Sequence, residues 1–389
     1  MTRTSSSRAL LADFSRTCSP EARSFVERVR ALSDVAAVAV FPDVHLGGDP
    51  HDEPSCVGTA IATRSRLVPA WLGSDLGCGV AALRIARSST PLHDAARAQR
   101  ALRAIARAIP IHRHPTPLGS AALEPVHAEA AEHALGRGAS AHELGTVGRG
   151  NHFVELREAR DDGSLWLLVH TGSRSFGPSL QAAHRARATE RAGGFAVLDA
   201  ETEPGVRYLE DVLLALGWAR ANRRLVITRV LHALGDVLAL EPDPDDGLDT
   251  CHDMLCREAH DLGRGPEQLY VHRKGAMRLE PGERGLVPGS MGADVAIVRA
   301  RQDAPPSALG SSAHGAGRAI PRTRAARRFD VGDLADAMRG VLFDARLARG
   351  LLDEIPHAYK DLDDVLRAER ALVRSVARLA PLIVHKGTG

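Results

Sequence analysis

Residues 310–324 read GSSAHGAGRAIPRTR, which places His314 beside Gly315, Ala316 and Gly317 with Arg318 just beyond. Small residues around a histidine let backbone N–H groups approach a phosphate closely. A neutral imidazole in that setting can attack phosphorus and form a phosphoramidate. Arg318, Arg322, Arg324, Arg327 and Arg328 then supply cations for phosphate oxygens. The same stretch also reads as a surface loop that tolerates a histidine, because short motifs recur by chance.

A second set of side chains has metal-ligand chemistry. Asp75 and Cys78 are three apart in GSDLGCG and can face one point. His152, His170 and His252 each stand next to a turn or an expected helix start. One carboxylate, one thiolate and three imidazoles could hold two divalent ions with positions open for phosphate oxygens. No pair has zinc-finger spacing, so the signal resides in the set. With 18 histidines present, any one alone reads more readily as structural.

A third set suits a nucleotide or RNA. Pro288, Gly289, Ser290 and Met291 form a turn that could cradle phosphate. Asn151 and Glu155 would share one face of a regular strand and His152 the other. All three meet one ligand only if the chain enters the strand irregularly, which the preceding GRG permits. Tyr359 could stack on a base, Lys360 reach a phosphate, and Lys386 bind a purine carbonyl or phosphate. Asp43, His45, Arg174 and Arg318 are the candidate RNA contacts, with residues 272–274 a further local cation group.

The elements that must position these groups read as a mixed pattern. Strands are expected at 35–41, 57–63, 79–86, 269–279 and 294–300, with a hairpin from 148 to 177 turning at 161–163. Helices are expected at 22–33, 92–109, 124–136, 178–193, 333–350 and 361–379. A long one at 207–239 buries Leu213 and carries a candidate break at Asn222. Residues 250–260 read as a helix with His252 in its first turn. Residues 42–58, 110–122, 241–247 and 285–293 read as loops. Glycine loops at strand ends, each presenting a polar side chain, point to one α+β domain over 1–389 with a large mixed sheet and scattered site residues. Residues 1–20 are expected to be a loosely ordered segment.

Composition narrows the function classes. Net charge is +2, so any nucleic-acid contact must be local. Three of the 50 basic residues are lysines, namely Lys274, Lys360 and Lys386, and all fall in strings singled out above. Aromatic content of 4% excludes an extensive base-stacking platform. No apolar run is long enough for a membrane span, and the first residues lack a secretory core. Five irregularly spaced cysteines do not make a disulfide framework and favour a reducing, cytoplasmic setting.

FPDVHLGG, GSDLGCGV, GRGNHFVEL, LVHTGSRSFG, VHRKGAMR, PGSMG, SSAHGAGR, AYKDLDDVL and HKG occur in this order. Over nearly the whole chain, from about residue 35, the set resembles the RtcB family of RNA ligases. The resemblance implies a GTP- and Mn²⁺-dependent enzyme, with two ions expected. Such an enzyme joins RNA ending in a 2′,3′-cyclic phosphate or 3′-phosphate to a 5′-hydroxyl, in RNA repair or tRNA splicing. It implies Asp75, Cys78, His152, His170 and His252 as metal ligands and His314 as the histidine that accepts GMP. The implied guanylate pocket comprises Asn151, His152, Glu155, Asp253, Pro288, Gly289, Ser290, Met291, His314, Gly315, Ala316, Gly317, Tyr359 and Lys386.

The sequence departs from the family pattern in places. The 42–58 loop is less glycine-rich and less apolar. Asp253 stands where asparagine is common, Val295 where serine is common, and Ala313 where cysteine or serine is frequent. These departures resemble the divergent bacterial branch associated with a release-factor-like partner and repair of cleaved RNA, including ribosomal RNA and tRNA. Two alternatives stay open: a metal-dependent phosphodiesterase or phosphatase acting on RNA ends, and a degenerate homologue that only binds RNA.

Overall fold

Runs of small and β-branched residues bounded by glycine fold here as strands, and alanine-rich runs fold as helices. The computed structural model describes residues 8–47, 53–120 and 123–388. Its first half runs β1 (Leu10–Asp13), α1 (Pro20–Arg30), β2 (Val35–Gly47), β3 (Ser55–Thr63), β4 (Arg66–Leu67), β5 (Gly79–Ala86), α2 (Ala95–Ala108), α3 (Pro125–Gly136), β6 (Phe153–Ala159) and β7 (Leu165–Thr171). It continues with α4 (Phe176–Arg187), β8 (Glu190–Ala192), β9 (Phe195–Asp199), α5 (Glu203–Leu234), β10 (Asp243–Cys251), β11 (Asp253–Asp261), β12 (Pro266–Lys274) and β13 (Ala276–Arg278). The last part holds β14 (Arg284–Pro288), β15 (Val295–Ala300), β16 (Ser311–Ala313), α6 (Arg322–Arg328), α7 (Val331–Ala337), β17 (Leu342–Phe343), α8 (Leu362–Ala368) and β18 (Val373–Lys386).

The largest sheet has the order β10-β5-β7-β6-β18-β15-β14, with β17 added on β18. It curls until its edges approach. Arg284 of β14 reaches Asp246 of β10 at 3.4 Å, and Arg84 of β5 holds the same carboxylate at 2.6 Å. A second sheet has the order β1-β2-β3-β12-β11. Two smaller sheets, β13-β16 and β4-β9-β8, complete an α+β fold.

One face of the large sheet packs Val154, Leu156, Leu167 and Val169 against Ile105 of α2 and Val226 and Val230 of α5. The other face carries Phe153, Leu168, Val295, Ile297 and Leu379. Strand alternation puts Glu155 and Arg157 on that second face with Phe153. At 32 residues, α5 also reaches a separate core around Tyr208, Val212 and Trp218. It runs unbroken through Asn222, whose buried amide accepts from Gly145 N at 2.6 Å and donates to Thr146 O at 3.0 Å. The polar residue that suggested a break instead ties a loop to the helix. Leu213, expected on the buried face, is 63% exposed.

Several expected elements differ from the fold. Residues 250–260 are not a helix: they end β10 and form most of β11, whose nine residues pair antiparallel with β12. Pairing overrides the weak helical pattern, and Gly263 and Gly265 at positive φ turn the hairpin. Residues 42–47, expected as loop, prolong β2, and residues 48–52 lie outside the described residues. Residues 243–247 already belong to β10, and 285–288 to β14. The helix expected at 178–193 is α4 followed by β8, and 333–350 divides into α7, β17 and a 3-10 run at Ala345–Glu354. The one expected at 361–379 stops at Ala368, because residues from Val373 pair with β15 and β6. Within the expected loose segment, Leu10–Asp13 pairs parallel with β2. Among the described residues no helix is long and apolar enough to cross a membrane.

Candidate active site

A cavity of about 360 Å³ lies where loops from both main sheets meet. Its floor starts at the turn before β5. Gly77 has φ 75°, and a Cβ there would lie 2.7 Å from that of Ala219 on α5. Gly77 N donates to Asp253 O at 2.8 Å, and His252 N donates to Cys78 O at 3.0 Å. These bonds join the turn to the β10–β11 junction. On the far side, Gly150 at φ 70° bends the chain into β6, so His152 reaches the cluster despite its odd position relative to the strand.

Five side chains converge there. His152 Nε2 lies 2.9 Å from Asp75 Oδ2 and 3.3 Å from Cys78 Sγ. His170 Nε2 lies 3.2 Å from Cys78 Sγ and 3.4 Å from His252 Nε2. Burial holds His170 and His252 well below the ordinary imidazole pKa, so both are neutral. Burial pushes the Cys78 thiol up, with Asp75 adding to it. Burial alone would raise Asp75, but His152 holds it well below the usual carboxylate range. The donor set fits divalent ions: a hard carboxylate oxygen, a sulfur and imidazole Nε2 atoms converge within about one ligand shell of one another. Cys78→Ala should lower divalent-ion affinity by more than about 100-fold, beyond what loss of an outer-shell partner produces. Titration with calorimetric readout checks this, and an unchanged affinity would remove Cys78 from the set.

His314 approaches this cluster from β16, its ring centroid 4.6 Å from that of His252. His314 Nδ1 is 2.6 Å from Asp43 Oδ2. A carboxylate only accepts, so Nδ1 carries a proton, and in the neutral ring Nε2 keeps the lone pair. Burial opposes charge on His314, but the bond to Asp43 and its charge outweigh this and raise the pKa. Asp43, expected as an RNA contact, is fully buried behind His314 rather than on the cavity wall. Gly317 at φ 71° lets the backbone pass Asp43, where a Cβ would lie 2.7 Å from its carbonyl oxygen. Lys360, expected to reach a phosphate, instead donates to Pro42 O at 2.6 Å and steadies Asp43.

Glu369 supports the same loop. Its carboxyl accepts from Ser312 Oγ at 2.9 Å and Ala313 N at 2.7 Å. Burial pushes its pKa up to about 8. The unfolded chain would titrate near ~4.3. The native state therefore holds an extra proton between these values. The stabilisation from this group is present below the lower value and is lost as pH rises through the upper one. Glu369→Gln, which can keep both bonds, should gain in melting temperature over the wild type as pH goes from about 5 to about 8. A gap that stays constant over that window would show the carboxyl already ionised in the fold.

The opposite end of the cavity is a charge network around Glu354. Lys386 Nζ lies 2.9 Å from Glu354 Oε2, and the Tyr359 hydroxyl donates to the same oxygen at 2.8 Å. Arg318 reaches Oε1 at 3.2 Å and sits 5.0 Å from the Tyr359 ring centroid. Arg322 also pairs with Glu354. Burial alone would raise the Glu354 pKa, but Lys386 and Arg322 hold it at about 2. Lys386 is no frayed end: it closes β18 opposite Phe153 and is buried.

Of the other expected residues, Asn151, His45, Asp253, Pro288, Gly289, Ser290, Met291, Gly315, Ala316, Gly317 and Tyr359 line the cavity. Asp253 is bonded to Lys274 and to Gly275 N. Glu155 does not line it, because its buried carboxylate is bonded to Arg157 Nε at 2.6 Å. Arg174, at φ 58°, lies behind the wall with Nε 3.2 Å from Thr146 Oγ1. Val295 and Ala313 are fully buried. Sequence reading missed Glu354, Glu369 and Arg157. The cation of Arg157 inside an apolar strand was the one available signal.

An α+β frame whose cavity joins an Asp–Cys–His cluster to a carboxylate-held histidine in a glycine loop defines the class. The chain belongs to the RtcB family: the profile described as tRNA-splicing ligase RtcB matches residues 122–387. RNA-splicing ligase RtcB of Escherichia coli K12 is 32% identical over 392 residues, covering 90% of each chain. RNA-splicing ligase RtcB of Mycobacterium tuberculosis is 31% identical over 300 residues, covering 67% of this chain and 68% of its own. tRNA-splicing ligase RtcB of Pyrococcus furiosus is 30% identical over 295 residues, covering 64% of this chain and 30% of its own.

Proposed function

We propose that the chain is an RNA ligase that uses GTP and Mn²⁺ to join 3′-phosphate or 2′,3′-cyclic-phosphate ends to 5′-hydroxyl ends. The observation that carries this is the placement of His314, with Nδ1 on Asp43 and its ring against His252. Family membership supports the reaction class, and the names of the matched relatives agree with it.

Divalent ions held by Asp75, Cys78, His152, His170 and His252 would supply neutralisation of phosphate charge. His314 Nε2 attacks the α-phosphorus of GTP, forming an N–P bond as pyrophosphate leaves. Asp43 stabilises the imidazolium that develops. A cyclic end is first opened by water, which breaks the P–O2′ bond and leaves a 3′-phosphate; an oxygen of the RNA 3′-phosphate then takes the guanylate from His314, returning the ring to neutrality. The 5′-hydroxyl of the second RNA attacks the activated 3′-phosphorus, and GMP departs. Arg318, Arg322, Lys274 and the backbone around Gly315 provide donors for phosphate oxygens. The departures at Asp253, Val295 and Ala313 extend the proposal to repair of cleaved tRNA or ribosomal RNA in the cytoplasm, beside a release-factor-like protein.

Ligation of defined RNAs with GTP and Mn²⁺ tests this. Joined product that requires both, with an acid-labile guanylate on the protein, is expected. Removal of the end phosphate without joining would favour an RNA-end phosphodiesterase or phosphatase. RNA binding with no turnover would favour a degenerate homologue.

A further inference from the structure

Arg157 sits on β6 between β7 and β18 and is 1% exposed. A guanidinium so placed must find acceptors inside the protein for its N–H groups. Nε donates to Glu155 Oε2 at 2.6 Å. Nη1 donates to Ala293 O at 2.8 Å and to Leu379 O at 3.0 Å. Nη2 donates to Ser290 O at 3.2 Å. One side chain thus bridges a buried carboxylate, β18 and two carbonyls of the 288–293 turn.

That turn is part of the cavity wall through Gly289, Ser290 and Met291. It closes on itself through Gly289 N to Asp294 O at 2.9 Å and Ala293 N to Ser290 O at 3.2 Å. Outside, Arg160 holds Asp294 with two bonds of 2.7 Å but is itself 60% exposed. Surface pairs of that kind contribute little. Ala316 N donates to Pro288 O at 2.8 Å, so the turn also abuts the His314 loop. Ser290 Oγ is buried with no partner, and the setting of the turn decides where this hydroxyl is offered.

We infer that Arg157 is a positioning residue for nucleotide binding, fixing the 288–293 turn through its planar fork and using Glu155 as counter-charge. This rests on the ligase reading. Arg157 touches none of the reacting atoms, so it governs how tightly the nucleotide is held more than how fast His314 reacts. Glu155 acts from behind the wall, completing the surroundings of Arg157.

Arg157→Lys keeps the charge but not the fork and cannot span the four acceptors. The KM for GTP in guanylate formation should rise by at least about fivefold, near the equivalent of one lost hydrogen bond. The maximal rate should stay within about threefold, the split expected for an effect on binding alone. A smaller rise in a folded variant, or a slower maximal rate at unchanged KM, overturns the inference. Should Arg157→Lys not fold, Glu155→Gln removes the counter-charge at constant volume. Faster amide exchange of residues 289–294 in that variant supports the clamp, and unchanged exchange overturns it. Amide exchange of residues 289–294 gives a readout independent of activity: faster exchange in Arg157→Lys supports the clamp, and unchanged exchange overturns it. Wild-type protein that forms no guanylate overturns the ligase reading instead, and the exchange measurement still decides the role of Arg157.

Discussion

His314→Gln should form no guanylate adduct and no ligated RNA, a loss on the order of 10⁶-fold if it matches removal of other enzymic nucleophiles. The His314 Nδ1 proton is held by the Asp43 carboxylate, whereas His45 and His170, also on the cavity wall, have Nδ1 on backbone carbonyls that carry no charge to favour an imidazolium. The His314 ring packs against His252, but its Nδ1 is bonded to Asp43 and it is not one of the five clustered donors, so metal content should be unchanged. The measurement is paired: metal bound per chain, and label retained after incubation with α-labelled GTP. Retained label would move the covalent step to another residue. Retained removal of RNA-end phosphate without adduct would turn the reading toward two-metal hydrolysis.

Asp43→Asn should cut adduct formation by about 10⁴-fold while leaving the KM for GTP close to the wild-type value, by analogy with carboxylate-to-amide changes behind other catalytic histidines. The substitution changes almost no volume, which matters at a fully buried site. An amide can turn its NH₂ toward His314 Nδ1. The ring then carries its proton on Nε2 and presents no lone pair to phosphorus. The charge that favours the developing imidazolium is lost as well. Single-turnover guanylation with bound GTP checks this, and a rate within about tenfold of wild type would show that Asp43 does not set the tautomer.

Much of the site was legible because its residues stand in glycine-bounded strings whose local geometry is nearly self-sufficient. GSDLGCG must turn tightly whatever surrounds it, and GAG beside His314 must bring backbone close to its neighbours. The central strands were legible for a similar reason: VAAVAVF and LWLLVHT have few alternatives once buried. Residues 250–260 were misread because the alternation in β11, buried with half-buried up to Cys256 and half-buried with exposed beyond it, does not follow apolar and polar side chains. Pairing with β12 decides that segment, and no local pattern records it. Glu354 was invisible for another reason. Its role depends on Lys386, Arg318 and Tyr359 arriving from other elements, and in sequence it is one acid among many. Arg157 and Glu369 share that fate, since a buried charge has meaning only through its partners.

The strand carrying Lys386 is made after both of its neighbours, β6 and β15, yet it lies between them. A nascent chain that has emerged only through α8 has two half-sheets with facing unpaired edges and no lysine to meet Glu354. Assembly of the cavity must therefore wait for insertion of β18, a late, non-local event of the kind that slows folding. Until then those open edges are targets for chaperones or for misassembly with other chains. Translation that stops short of this strand would yield inert protein, not a weakened enzyme.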